Sequence, residues 1–123
     1  MTTISRELPR SPAAASAARQ LVNAHATMLD VRQREDATLL VSELVTNAVV
    51  HGIGVIVLRI DLESDGLRVE VSDDGNVALA PSPTPGAHGG WGLRIVDELA
   101  DDWGVLKGST RVWFRLGRPR PRD

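Results

Sequence analysis

The sequence predicts an α+β fold: a two-layer sandwich whose mixed, mainly antiparallel sheet carries helices on one face. Three observations carry this. Two segments of helical period come first, at residues 12–29 and 32–50. Segments of strand alternation follow in two pairs, at 55–71 and 103–116, each pair close enough in sequence to form a hairpin. A short helical segment lies between the pairs. Helices grouped ahead of hairpins leave one helical layer to bury the apolar face of one sheet. At 123 residues the chain has the size of one domain. That domain is read as residues 1–116, followed by a basic, disordered tail at 117–123.

Each element has its own local reason. Residues 3–8 (TISREL) alternate weakly and predict a short edge strand that Pro9 stops. Ser11 then offers a side-chain acceptor for a free backbone N–H, and Pro12 suits the first helical position. The first helix, residues 12–29, places Ala14, Ala17, Ala18, Leu21, His25 and Met28 on one stripe. The second, 32–50, uses Ala37, Leu40, Val41, Leu44 and Ala48, and His51-Gly52-Ile53-Gly54 ends it. In the strand at 55–62, Ile56, Leu58, Ile60 and Leu62 share a face opposite Arg59 and Asp61. Ser64-Asp65-Gly66 is a hairpin turn signal. The next strand puts Leu67, Val69 and Val71 opposite Arg68 and Glu70, and stops at Asp73-Asp74-Gly75. Residues 76–90 hold three prolines and several small residues, and read as a long loop. A third helix starts near Gly92 and uses Leu93, Val96 and Ala100. A short segment at 103–107 and a strong strand at 110–116 complete the order.

Composition narrows the function classes. Hydrophobic residues make up 42% and charged residues 24% of the chain, the balance of a globular protein. Fourteen basic residues against sixteen acidic give a net charge of −2, without the basic excess of a nucleic-acid binder. No cysteine is present, which excludes disulfides and thiolate metal sites. The apolar runs fall far short of the roughly 20 residues that span a bilayer, and residues 1–6 lack the apolar core of a signal peptide. The expectation is a cytoplasmic protein with no direct membrane or nucleic-acid partner.

Four polar features stand apart. Glu43 and Asn47 are one helical turn apart, with Asn47 beside the apolar stripe and Glu43 further out; His51 continues the row toward the core side. A polar row on an exposed face would look the same. Asp73 has the parity of Leu67, Val69 and Val71, so its carboxylate is aimed at the helix layer; equally, the strand has already ended and Asp73 caps the turn. Thr110 has the parity of Val112, Phe114 and Leu116, so Asp73 and Thr110 converge if their strands are neighbours. Together they would read an exocyclic amine; alone, Thr110 is a β-favouring residue at a strand start. Finally, Gly89-Gly90-Trp91-Gly92-Leu93 places glycines just before a helix, where free N–H groups favour anions, although a flexible loop has the same composition. His25 reads as a core histidine. Trp113, with Arg111 and Arg115, falls on the sheet face opposite Thr110, as a dimer or partner surface or as simple cover.

In order and spacing these pieces resemble the GHKL ATPase superfamily and its Bergerat fold. Residues 43–51 (ELVTNAVVH) resemble the N-box, Asp73-Asp74-Gly75 the first glycine box, Gly90-Trp91-Gly92-Leu93 the second, and Ser109-Thr110-Arg111-Val112 the last strand. The short lid, the first helix and residues 92–105 look closest to the anti-sigma-factor serine kinases of actinobacteria. The resemblance implies ATP and Mg²⁺ as ligands, with Asn47 coordinating the metal. Glu43 would act as catalytic general base, or hold the water that completes the metal shell. Asp73 would bind the adenine amino group, helped by Thr110 through water, and Gly75 would sit under the base. Gly90, Gly92 and Leu93 would close on the phosphates, with Trp91 stacking on the nucleotide or packing on the lid. Two positions depart from the pattern. Val77 stands where a final glycine is usual, and His88-Gly89 stands where kinases of this branch carry an arginine facing the γ-phosphate. His88 is a weaker charge clamp than arginine.

The function so implied is an anti-sigma regulatory factor with serine-kinase activity toward a STAS-type anti-anti-sigma protein. It would sequester a sigma factor, with a homodimer as one arrangement open to it. The alternative, favoured by His88, is an ATP-gated binding module without transfer chemistry. A detached sensor-kinase catalytic domain ranks below both, because no helix pair carries an acceptor histidine.

Overall fold

The computed structural model describes residues 2–75, 93–105 and 111–117. In chain order the elements are β1 (Thr2–Leu8), α1 (Ala13–His25), α2 (Val31–His51), β2 (Ile56–Glu63), β3 (Gly66–Ser72), α3 (Leu93–Leu99), β4 (Asp102–Val105) and β5 (Val112–Gly117). The five strands form one sheet in the order β1-β2-β3-β5-β4, and every neighbouring pair is antiparallel. The α+β, two-layer reading therefore holds. The sheet is wholly antiparallel among the described residues, rather than mixed.

Strand alternation decides what the sheet buries. Ile56, Leu58, Ile60, Leu67, Val69, Val71, Phe114 and Leu116 point to one face and are buried in a single cluster. Ala14, Ala18 and Val22 of α1, six residues of α2 from Ala37 to Ala48, and Val96 of α3 complete that cluster from the helix side. The β2–β3 hairpin closes at Glu63↔Gly66, which leaves Ser64 and Asp65 as the two-residue turn. β1 and β4 are the sheet edges.

Two helix details differ from the sequence expectation. The α1 stripe runs through Ala14, Ala18 and Val22, while Ala17 is exposed and Leu21 only half-buried. Alanines on both flanks give the period no contrast, so its phase is not readable from hydrophobicity. The helix also ends at His25, short of residue 29; Ala26 and Leu29 join the core from the link beyond it. His25 is half-buried, with Nδ1 2.9 Å from the Leu21 carbonyl oxygen. The start of α2 is set by a capping box that the stripe did not reveal. Asp30 accepts from the Gln33 backbone N–H at 2.8 Å, and the Gln33 side chain accepts from the Asp30 N–H at 3.1 Å. Gln33 Nε2 also donates to the Gly117 carbonyl, tying the start of α2 to the end of β5.

The outer sheet face carries no helix among the described residues and is covered by its own charges. Asp61 accepts from Thr3 Oγ1 at 2.7 Å and from Arg59 Nε at 3.1 Å, and lies 3.7 Å from Arg68 Nη1. Arg68 also pairs with Glu70 at 3.2 Å and stacks 4.9 Å over the Trp113 ring. Arg115 reaches Glu63 at 2.8 Å and Asp65 at 3.3 Å. Among the described residues no helix is long and apolar enough to cross a membrane.

Burial pushes the Asp61 carboxyl upward, but the Thr3 hydroxyl and the Arg59 and Arg68 guanidiniums outweigh it, so its pKa lies below the ordinary range. A carboxyl depressed in the folded state stabilises the fold above its unfolded pKa of about 3.9, and that contribution fades as pH falls through the folded value. Asp61→Asn should therefore lower stability by about 1–2 kcal/mol at pH 7, measured by urea denaturation. The gap from the parent should narrow below about pH 3.9. A pH-independent gap would contradict the assignment.

Candidate functional site

The C-terminal turn of α2 and the end of β3 meet at one place, and several local features bring them together. α2 stops because Gly52 leaves the helical region (φ −83°, ψ −176°) while its N–H still bonds the Ala48 carbonyl at 2.9 Å. Gly54 then takes a left-handed conformation (φ +70°), which a glycine adopts without a Cβ penalty. On the other side, the Asp74 N–H donates to the Ile53 carbonyl at 2.8 Å, and Asp74 Oδ2 accepts from the Val55 N–H at 2.7 Å. These two bonds fasten the link after α2 to the segment after β3.

Asp73 occupies the centre of this junction. β3 ends at Ser72, and Asp73 Oδ1 accepts from the Gly75 N–H at 2.6 Å, so the residue does cap its turn. Its carboxylate also lies against the end of α2. A Cβ built on Gly52 would fall inside contact distance of Asp73 Oδ2, and 2.5 Å from the Ala48 carbonyl oxygen. The two readings of Asp73 left open by the sequence are thus compatible: one oxygen closes the turn while the other faces the helix layer. Glu43 and Asn47 lie further back on α2, both half-buried at the rim of the core face. Among the described residues neither side chain makes a hydrogen bond. His51 ends the helix and is exposed.

One cation holds the junction. Arg10, in the link between β1 and α1, donates from Nη1 to the carbonyls of Ala48 (2.9 Å) and Val49 (2.8 Å), and from Nε to that of Gly54 (3.0 Å). A positive group at a helix C-terminus donates to its last carbonyls, here that of Ala48, which already accepts the Gly52 N–H, and that of Val49, and opposes the negative end of the dipole. Sequence reasoning missed Arg10 because it sits in a link with no period. It also treated Gly52 as a simple helix stop; the closeness of Asp73 is a tertiary fact that the glycine alone does not announce.

The remaining candidates divide by where they fall. His88, Gly90, Trp91, Gly92 and Thr110 lie outside the described residues, as do Val77, Gly89 and the tail from 118. Leu93 opens α3, but its side chain is outside the description too. β3 and β5 are indeed neighbours, the condition for Asp73 and Thr110 to converge, and Val71↔Val112 is the last described pair. Among the described residues, no three His, Cys, Asp or Glu side chains gather as a metal-binding group. A depression of about 270 Å³ lined by Asn23, Val31, Arg34, Glu35 and Thr38 shares no residue with this junction.

A family model described as a histidine kinase-like ATPase domain matches residues 8–116. No curated protein matches the chain.

Because Gly52 has no room for a side chain, Gly52→Ala should destabilise the protein by about 1–3 kcal/mol, the range for overpacking. Combined with Asp73→Ala, the same substitution should cost less, since only the Ala48 carbonyl still crowds the new methyl. Denaturation of the four-member cycle reads this directly. Equal costs in both backgrounds would place the crowding elsewhere.

Proposed function

The chain belongs to the histidine kinase-like ATPase family, and from that premise we propose that it binds ATP with Mg²⁺ at the α2–β3 junction and serves as an anti-sigma regulatory kinase. The supporting observation is the Asp73 carboxylate, held at the end of the helix that also carries Asn47 and Glu43. Gly52 leaves no methyl between Asp73 and α2, and the two polar groups on α2 have no hydrogen bond to break among the described residues.

The donor chemistry fits. Mg²⁺ prefers oxygen ligands and commonly takes only one or two from protein. The Asn47 side-chain oxygen would supply one, and the Glu43 carboxylate, one turn away on α2, would hold a water of the metal shell or accept a proton from an attacking hydroxyl. Asp73, an acceptor only when ionised, suits the exocyclic amine of adenine and disfavours the oxygen at that position in guanine. Bound ATP with Mg²⁺ supplies the phosphoryl group, whose transfer relies chiefly on positioning and charge neutralisation. Gly75, Gly90, Trp91, Gly92, Leu93 and Thr110 enter this reading through the sequence resemblance.

In the finer reading the acceptor is a serine of a STAS-type anti-anti-sigma protein and the sequestered partner is a cytoplasmic sigma factor, bound by a homodimer. His88, where the resembling kinases carry arginine, favours a second reading: an ATP-gated binding module that transfers nothing.

Calorimetry with ATP and Mg²⁺ tests the site. Asn47→Ala and Asp73→Asn should each weaken binding by roughly 10-fold or more, the scale of a lost charged hydrogen bond. Asp73→Asn should also shrink the preference for ATP over GTP. Absence of ATP binding by the parent would refute the nucleotide reading. Transfer of labelled γ-phosphate to an anti-anti-sigma protein separates the kinase from the module: transfer removes the module, and tight binding without transfer removes the kinase.

A further inference from the structure

We infer that Arg10, which lies outside every motif of the nucleotide reading, is a positioning residue for both poles of that site. The inference rests on that reading. Among the described residues Arg10 pairs with no carboxylate; its guanidinium is spent on three carbonyls from two segments. Two of these belong to the last turn of α2, and the third belongs to Gly54, in the link that follows.

What those carbonyls adjoin gives the bonds their consequence. Ala48 follows Asn47 directly, so fixing the Ala48 carbonyl fixes the backbone from which the Asn47 side chain leaves. The same carbonyl accepts the Gly52 N–H, and Gly52 is the residue against which Asp73 Oδ2 rests with no space for a methyl. Gly54 stands against Asp74, whose carboxylate holds the Val55 N–H. Arg10 therefore ties the last turn of α2 to the link that Asp74 fastens to β3. Asn47 stands on the first of these and Asp73 borders both. A lysine cannot reproduce this. Its ammonium is a compact point charge, whereas the planar guanidinium presents donors in a fixed fork.

The test needs one ligand-free readout and one binding cycle. In ligand-free Arg10→Ala, the Gly52 and Val55 amides should exchange hydrogen faster than in the parent, while core strand amides such as Val69 stay protected. With ATP and Mg²⁺, Arg10→Ala should weaken binding on the order of tenfold, within the range of coupled neighbouring residues. Arg10→Lys should restore little of it. In the Asp73→Asn background, Arg10→Ala should weaken binding by a clearly smaller factor than in the parent, because only the part that acts through Asn47 remains. Arg19→Ala removes a 3.0 Å bond between α1 and Ser42 of α2, away from the junction, and should leave affinity unchanged. If Arg10→Ala does not fold, Arg10→Lys carries the same comparisons.

Parent-like binding by Arg10→Ala, or an equal loss in both Asp73 backgrounds, would overturn the inference while leaving the nucleotide reading intact. Absence of ATP binding by the parent would overturn both.

Discussion

The junction depends on an approach that is electrostatically unfavourable on its own. The Asp73 carboxylate rests against the C-terminal end of α2, where the helix dipole presents negative charge. A like charge there costs about 0.3–1 kcal/mol. Two features offset it. The Gly75 N–H gives Asp73 a charge-assisted bond at 2.6 Å, and Arg10 places a cation on the terminal carbonyls of α2. A charged hydrogen bond contributes about 1.5–3 kcal/mol, so the arrangement is stable without being the most stable one available. An asparagine at position 73 would close the same turn with less repulsion. On the nucleotide reading, the aspartate carries that cost for the amine it would bind.

The two faces of the sheet solve opposite problems. The inner face is apolar and needs only shape, which α1 and α2 supply through small residues at Ala14, Ala18, Ala37 and Ala48 that let backbone approach backbone. The outer face has no helix to cover it among the described residues. Its strands carry long charged side chains that lie down on one another: Arg59, Asp61, Arg68 and Glu70 form one connected set, and Arg115 joins Glu63 to Asp65. Aliphatic stems under paired heads keep water off the strands without presenting an apolar patch. Asp61 is only 8% exposed and Glu70 7%, so these are structural charges on a nominally solvent face.

The strands were legible because alternation encodes a strand facing a core directly: Ile56, Leu58 and Ile60 fall where the period puts them. The stripe of α2 was legible for the same reason, and its first residue was displaced by one because Asp30 and Gln33 set the start through polar bonds. The phase of α1 was not legible, since its alanines look alike on either side. Burial of Asp61 and Glu70 was not legible either, because a period separates faces and cannot distinguish a charge in water from a charge under its neighbours. In the site, the parity of Asp73 was readable and its partner was not. Gly52 and Arg10 are separated from it by 21 and 63 positions, and only the packing of α2 on β3 brings them together.

This separation bears on the kinase question. The described half of the proposed site is fixed by bonds among Arg10, Ala48, Val49, Gly52, Ile53, Gly54, Val55, Asp73, Asp74 and Gly75, each made through at least one backbone group. The sequence features that bear on transfer, His88 and the glycines at 90 and 92, belong to a different stretch of chain. On the proposed reading, a histidine where the resembling kinases carry arginine removes a permanent charge. The bonds described above, from Arg10 to the end of α2 and from Val55 to Asp74, are made among residues 10–74. On that reading, recognition of the base and stabilisation of transferring charge draw on different stretches of the sequence. Tight nucleotide binding by itself would therefore not argue for phosphoryl transfer.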